Sequence, residues 1–243
     1  MEDGYYQVSD KTKMNKYFLL LGFLIILLLV SCKKKYDTVD LGLDYYPIDT
    51  GKYYIYNVQL ITYVVTNTPG QGDTINYQLK EYYHGTIQSS DETLYRIERY
   101  TRTSDTAQWP AQPDSGVWTV TTKNNTVIRT ENNQPYVKLV FPVQSGQQWN
   151  GNSYNNLGAD NYVMYPVNNP YTVGDTTYKT TLTVTQANEQ SLVDKNYRIE
   201  VYAKEIGLVY QHEEVLLYDQ DSIGTYTISS GSKYDKKLIS HGP

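Results

Sequence analysis

The stretch YIYNVQLITYVVTNTPGQG, Tyr54–Gly72, carries the pattern from which the fold is read. Tyr54, Tyr56, Val58, Leu60 and Val64 alternate with more polar neighbours, and Thr66 to Gly72 follows as turn chemistry. A strand points successive side chains to opposite faces, so a period of two marks one face for burial and leaves the other to water. The run is therefore read as a strand that ends in a turn.

The same period recurs along the chain. Thr74–Tyr83, Leu94–Arg102, Val117–Thr122, Thr126–Thr130 and Tyr136–Phe141 read as strands. So do Lys179–Gln186, Asn196–Lys204, Gly207–Tyr218, Ile223–Ser229 and Tyr234–Ser240. Ser104–Gly116, with two prolines and Trp109, reads as a long loop, and so does Gly151–Gly174, rich in Asn, Tyr and Pro. No stretch after Cys32 holds a 3.6-residue period long enough for a helix. Short strands with turns between them predict an all-β fold, an antiparallel sandwich or a curled barrel. Composition agrees, with 27 tyrosines against 3 phenylalanines and 3 tryptophans, because tyrosine favours pleated, half-buried surfaces.

Part of the sequence is echoed. Tyr46-Pro47-Ile48-Asp49-Thr50-Gly51-Lys52-Tyr53-Tyr54 is answered by Phe141-Pro142-Val143-Gln144-Ser145-Gly146-Gln147-Gln148-Trp149. Gly72-Asp73-Thr74 is answered by Gly174-Asp175-Thr176, and Tyr95-Arg96-Ile97-Glu98 by Tyr197-Arg198-Ile199-Glu200. The later spacings agree with one another and exceed the first, which fits one insertion after the first strand of the second copy. We read two tandem related β units, 45–140 and 141–243. Arg96, Glu98, Arg198 and Glu200 are read as solvent-facing strand positions.

Before the β body stands KTKMNKYFLLLGFLIILLLVSCKKK, Lys11–Lys35. Lys11, Lys13 and Lys16 form a basic segment, and Tyr17–Val30 is an apolar run shorter than the roughly 20 residues a spanning helix needs. Met14 opens a complete signal peptide by itself, so 1–31 reads as a signal peptide with 1–13 an over-long start. Leu29-Val30-Ser31-Cys32 resembles the lipobox of bacterial lipoproteins. That resemblance implies cleavage before Cys32 and acyl chains on Cys32 that hold the protein to a membrane, with 32–44 as the lipidated tether. The stretches FPVQSGQQW (Phe141–Trp149) and KEIGLVYQ (Lys204–Gln211) resemble a recurring pattern in uncharacterised envelope lipoproteins of the Bacteroidota. The implied location is the cell envelope, anchored by lipid to the outer membrane. Asp37-Thr38, Asp73-Thr74, Asp105-Thr106, Asp175-Thr176 and Asp221-Ser222 each resemble the O-glycosylation acceptor used on envelope proteins of that group, which makes Thr38, Thr74, Thr106, Thr176 and Ser222 expected acceptors.

Several chemistries are set aside. A net charge of −5 argues against nucleic acid as a partner. Cys32 is the one cysteine, so lipidation leaves no thiol for disulfides or catalysis. His212-Glu213-Glu214 lies in a strand pattern rather than a helical zinc motif. Asp219–Gly224 opens like a calcium loop but has Ile223 and Ser230 where ligands belong. No metal site, cofactor or catalytic set is expected. The sequence is read as a non-catalytic binding or scaffolding module for a glycan or an envelope protein, with Trp109, Tyr154, Tyr162 and Tyr165 as candidate ligand-binding residues. The alternatives are a carrier of a lipophilic ligand in a β cavity, or a glycan-active hydrolase.

Overall fold

The computed structural model describes residue 1 and residues 40–243, apart from 66, 67, 69, 90, 91 and 221–225. Cys32 and the rest of the leader lie outside the described residues. Residues 40–243 form one compact unit.

After a single 3-10 turn at Leu43–Tyr45 the chain is built of strands. These are β1 (Tyr53–Tyr63), β2 (Asp73–Ser89), β3 (Glu92–Arg102), β4 (Val117–Lys123), β5 (Thr126–Glu131) and β6 (Gln134–Val140). They continue with β7 (Gln148–Asn150), β8 (Asn161–Val173), β9 (Thr176–Gln190), β10 (Asp194–Ala203), β11 (Gly207–Gln220) and β12 (Tyr226–Gly242). All pair antiparallel in one 12-stranded sheet of order β6-β5-β4-β3-β2-β1-β12-β11-β10-β9-β8-β7. Every neighbouring pair is consecutive in the chain except β1 with β12.

This order obliges the sheet to curl. Strands β6 and β7 stand at opposite ends of it, yet only residues 141–147 join them. Laid flat, twelve strands spaced about 4.8 Å apart would part those ends by roughly 50 Å. Seven extended residues reach about 25 Å at most. The ends therefore meet, and the seam is light: Val137 N–H donates to Gly151 O (2.9 Å), Trp149 Nε1 to Val137 O (2.9 Å) and Asn155 Nδ2 to Pro135 O (2.8 Å). The result is a nearly closed barrel, the curled form of the predicted all-β architecture.

One buried cluster runs through both halves of the sheet, from Tyr56, Leu79, Ile97 and Val127 to Met164, Val201 and Tyr202. Tyr45, Tyr46, Tyr54, Tyr56, Tyr83, Tyr162 and Tyr202 all belong to it, so much of the tyrosine excess fills the interior. Their rings meet edge-on, tilted or stacked, as for Tyr54 with Tyr83 (5.8 Å), Tyr46 with Tyr202 (5.7 Å) and Tyr54 with Tyr56 (6.5 Å).

Several expectations are corrected. Gly151–Gly174 is not one long loop, because a turn at 151–160 leads into β8. Its pairing with β9 slips at three places and it carries Asn168 at φ 59°. Pro166 and Pro170 also interrupt the period, which hides the strand from a pattern reading. Of the expected strands Ile223–Ser229 and Tyr234–Ser240, residues 226–229 of the first and all of the second belong to one strand, β12. Gly231 sits at φ 119° but pairs in register with Leu216 and Tyr63, and the register shift between β11 and β12 leaves Ser229 as the extra residue, so the strand bulges there instead of ending. Residues 40–44, assigned to the tether, are seated on the barrel: Glu205 N–H donates to Asp44 O (2.7 Å) and Lys204 Nζ to Asp40 Oδ2 (2.9 Å).

The echoed segments Tyr95–Glu98 and Tyr197–Glu200 fall on β3 and β10 but face opposite ways. Glu98 is on the outer face with Tyr100, His84 and Arg96, whereas Glu200 reaches Lys138 from the far end of the sheet, inside the barrel. The bulges beside β10 fall in β9 (Gln186) and β11 (Val209), not in the repeated segment, so facing is set by how each strand joins the sheet and not by the spelling. Neither glutamate faces solvent as the sequence reading has it, since Glu98 is 6% exposed and Glu200 1%.

Candidate functional site

The outer face of β12, β1, β2 and β3 carries a groove. On β1 the residues that alternate with buried Tyr56 and Val58 are Asn57 and Gln59, and on β2 the residues flanking Tyr77 are Asn76 and Gln78. Register sets Asn57 opposite Gln78 and Gln59 opposite Asn76. Gln78 Nε2 donates to Asn57 Oδ1 and Gln59 Nε2 to Asn76 Oδ1, each at 3.0 Å. On the other side of β1, Lys237 pairs with Asn57 and Asp235 with Gln59. The groove has a volume of about 530 Å³, with Ser104 and Asp105 of the loop after β3 as its wall.

That loop is pinned. Asp114 accepts from Thr101 N (2.7 Å) and Thr101 Oγ1 (2.6 Å), and Arg102 Nη1 donates to Ala107 O (3.0 Å). Arg102 also joins the groove to an aromatic cluster: its Nε donates to Gln78 Oε1 (2.7 Å) and its guanidinium lies 4.4 Å from the centre of Trp109. Next to it the Lys80 ammonium stands 5.6 to 6.0 Å from the ring centres of Tyr53, Tyr82, Tyr100 and Trp109. These rings are half-exposed. The Tyr100 hydroxyl, raised to about 12 by burial and by its bond to Glu98, remains a neutral donor. Amides that both donate and accept, beside aromatic faces and a cation, suit a polyhydroxylated ligand with apolar C–H faces. Asp235 accepts from Tyr210 (2.6 Å) and contacts His212 Nδ1 (3.1 Å), and these bonds hold its carboxyl below the usual range against the effect of burial.

Inside the barrel lies a second site. The Glu81 carboxylate, 1% exposed between Leu79 and Tyr83, is met by Arg129 Nη2 (2.6 Å), Lys236 Nζ (3.1 Å) and Arg99 Nε (3.6 Å), all at one oxygen. Arg129 continues to Glu131 (3.3 Å), Glu131 to Lys138 (3.5 Å), and Lys138 to Glu200 (2.5 Å). Burial pushes the Glu81 carboxyl up, but Arg129, Lys236 and Arg99 outweigh it and leave it far below the ordinary range. For Lys236, burial and the two arginines outweigh Glu81, so its ammonium falls to about 8. Beside this network is a cavity of about 280 Å³ that Trp118, Gln211, Glu213 and Tyr234 also line. Among the described residues no three His, Cys, Asp or Glu side chains converge as metal ligands.

Of the residues singled out in sequence, Trp109 lies at the outer groove and the others lie elsewhere. Tyr162 is 3% exposed, with its ring 5.9 Å from Trp149 in the core, because it is an inward position of β8 rather than part of a loop. Tyr154 (41% exposed) and Tyr165 (65%) are at the surface and do not join Trp109 in a common strip. Thr74, Thr106 and Thr176 are exposed, whereas Thr38 and Ser222 lie outside the described residues. Sequence reasoning missed the amides Asn57, Gln59, Asn76 and Gln78, although they occupy the polar positions of the alternation. It also missed Glu81 and Lys236, whose signal is a charge in the buried register.

No family model and no curated protein matches the chain. Among solved structures, a candidate exported protein with a YmcC-like fold from Bacteroides fragilis is 10% identical, with a TM-score of 0.38 over 82% of this chain and 98% of that one. A candidate lipoprotein from Parabacteroides distasonis is also 10% identical, with a TM-score of 0.32 over 80% of this chain and 98% of that one. Neither likeness assigns an activity.

Proposed function

We propose that this chain is a lipid-anchored envelope protein whose barrel acts, without catalysis, as a glycan-binding module. Cys32 supplies the anchor and the two related β units make one body. The observation that carries the proposal is the outer groove: an amide ladder on β1 and β2 continuous, through Arg102, with Trp109 and the tyrosines around Lys80. The groove has two carboxylates, Asp105 and Asp235. A non-catalytic role is supported by Asp235, whose bonds to His212 and Tyr210 hold its pKa low, the opposite of what a glycosidase acid needs. The lipophilic-carrier alternative gains no support from a cavity walled by Arg99, Arg129, Lys236 and Glu200.

The test is retention on immobilised oligosaccharides of envelope or dietary type, followed by calorimetry on whichever is retained. Trp109→Ala and Asn57→Ala should each weaken binding at least about tenfold, or ~1.4 kcal/mol, with the fold unchanged by circular dichroism. Equal retention of wild type and both variants would remove the groove from consideration. Release of new reducing ends would replace binding by hydrolysis.

A further inference from the structure

The lumen cavity is polarised. One side is cationic: Arg99 and Arg129 lie over Trp118, with guanidinium carbons 3.6 and 4.7 Å from the ring centre, and Lys236 of β12 stands beside them. These three cations share a single oxygen of Glu81. The Nε atoms of Arg99 and Arg129 are both buried without a hydrogen-bond acceptor. Arg99 Nε faces Glu81 at 3.6 Å and Arg129 Nε faces Glu131 at 3.3 Å, each ion-paired but without hydrogen-bond geometry, so an acceptor that reached them from the cavity would be bonded better than these carboxylates are. The other side comes from β10 and β11. There Glu200 is neutralised by Lys138, whereas Glu213 accepts from Gln211 Nε2 (2.7 Å) and stands opposite Arg198, which is itself held by Asp160, with no cation within salt-bridge distance of Glu213 among the described residues. Leu60, Gln211, Glu213 and Ser232 are part-exposed, so the cavity communicates with solvent.

We infer that the lumen binds a small zwitterion of the amino-acid or short-peptide class, with its carboxylate on Arg99 and Arg129 and its ammonium on Glu213. A simple anion would leave Glu213 without an ion-pair partner and would be repelled by it. A simple cation would leave the two Nε donors without a hydrogen bond. A volume of about 280 Å³ lies at the small end of ligand pockets, in keeping with a ligand of this size. Trp118 and Tyr234 offer flat faces to the atoms between the two charges. This site is separate from the outer groove and does not depend on glycan binding.

The experiment uses the full-length chain in detergent, titrated with alanyl-alanine, with N-acetyl-alanyl-alanine and with alanyl-alanine amide, and follows the Trp118 indole N–H resonance beside calorimetry. The free dipeptide should bind and move the Trp118 signal, and each blocked form should bind at least tenfold more weakly. In Glu213→Gln, a part-exposed and near-isosteric change, the free and acetylated dipeptides should bind alike. Trp109→Ala should leave all three titrations unchanged. The inference is overturned if the free dipeptide shows no saturable binding to millimolar concentration. It is equally overturned if either blocked form binds as tightly as the free one, or if Glu213→Gln keeps the full preference for the free amine.

Discussion

Glu81 is the residue on which the interior charge balance turns. Removing one member of a buried ion cluster strands the others, at a cost of about 3–5 kcal/mol, whereas replacing a cation that is already poorly compensated can be neutral. Glu81→Gln should therefore lower stability by roughly that amount in urea titrations, because Arg129, Lys236 and Arg99 lose their shared carboxylate. Lys236→Met should change it by less than about 1 kcal/mol or raise it. The same groups set the pH response. Between about 8, where Lys236 titrates in the folded protein, and the 10.5 of an ordinary lysine, the unfolded chain binds the extra proton, so stability rises with pH across that window. Glu81 and Glu131 are held below the ordinary 4.5, so their contribution is complete above that pH and is lost as acid brings each toward its folded value. Urea midpoints measured from pH 3 to pH 10 check both limbs.

At the scale of the element, β12 is the strand that joins the two meanders, and the stretch from its bulge at Ser229 to Gly231 is where sequence and structure diverge most. Gly231 sits at φ 119°, and a Cβ there would stand 2.1 Å from Val215 O, a backbone atom. Gly231→Ala should cost at least about 2 kcal/mol from the left-handed backbone and overpacking together, read from the thermal midpoint. The alternation in Tyr54–Leu60 made β1 legible in advance, and with it the outward position of Asn57 and Gln59. Strand β8 was not legible: Pro166, Pro170 and a slipping register erase the period of two on which the reading depends. For that reason the sequence pattern places Tyr162 in a loop, whereas the structure places it in the core. Glu98 and Glu200 teach the same lesson, since the same four letters on β3 and β10 point one glutamate outward and the other into the barrel.

At the scale of the molecule, closure is uneven. The β1–β12 junction pairs from Tyr53 to Tyr63, whereas the β6–β7 seam is held by Val137 N–H on Gly151 O and the side chains of Trp149 and Asn155. Local opening follows the number of protected bonds. In hydrogen exchange the Val137 amide should therefore lose protection well before the amides of Val58 and Lys236, and Trp149→Phe should speed it further at a cost of about 1 kcal/mol. Equal protection at the two junctions would mean that the seam is stronger than its bonds suggest.

The sequence by itself determined the strand-built body, many of its strands and the Trp109 loop, because a period of two and turn residues are local properties that each segment carries alone. Only the tertiary structure decided that the sheet closes on itself and that Glu81, Arg129, Lys138 and Glu200 meet inside it. The outer groove likewise took shape only when the loop after β3 folded back on β1 and β2. Those outcomes depend on which strands become neighbours and on where bulges exchange the two faces. Such relations join residues far apart in the chain, and no local pattern records them.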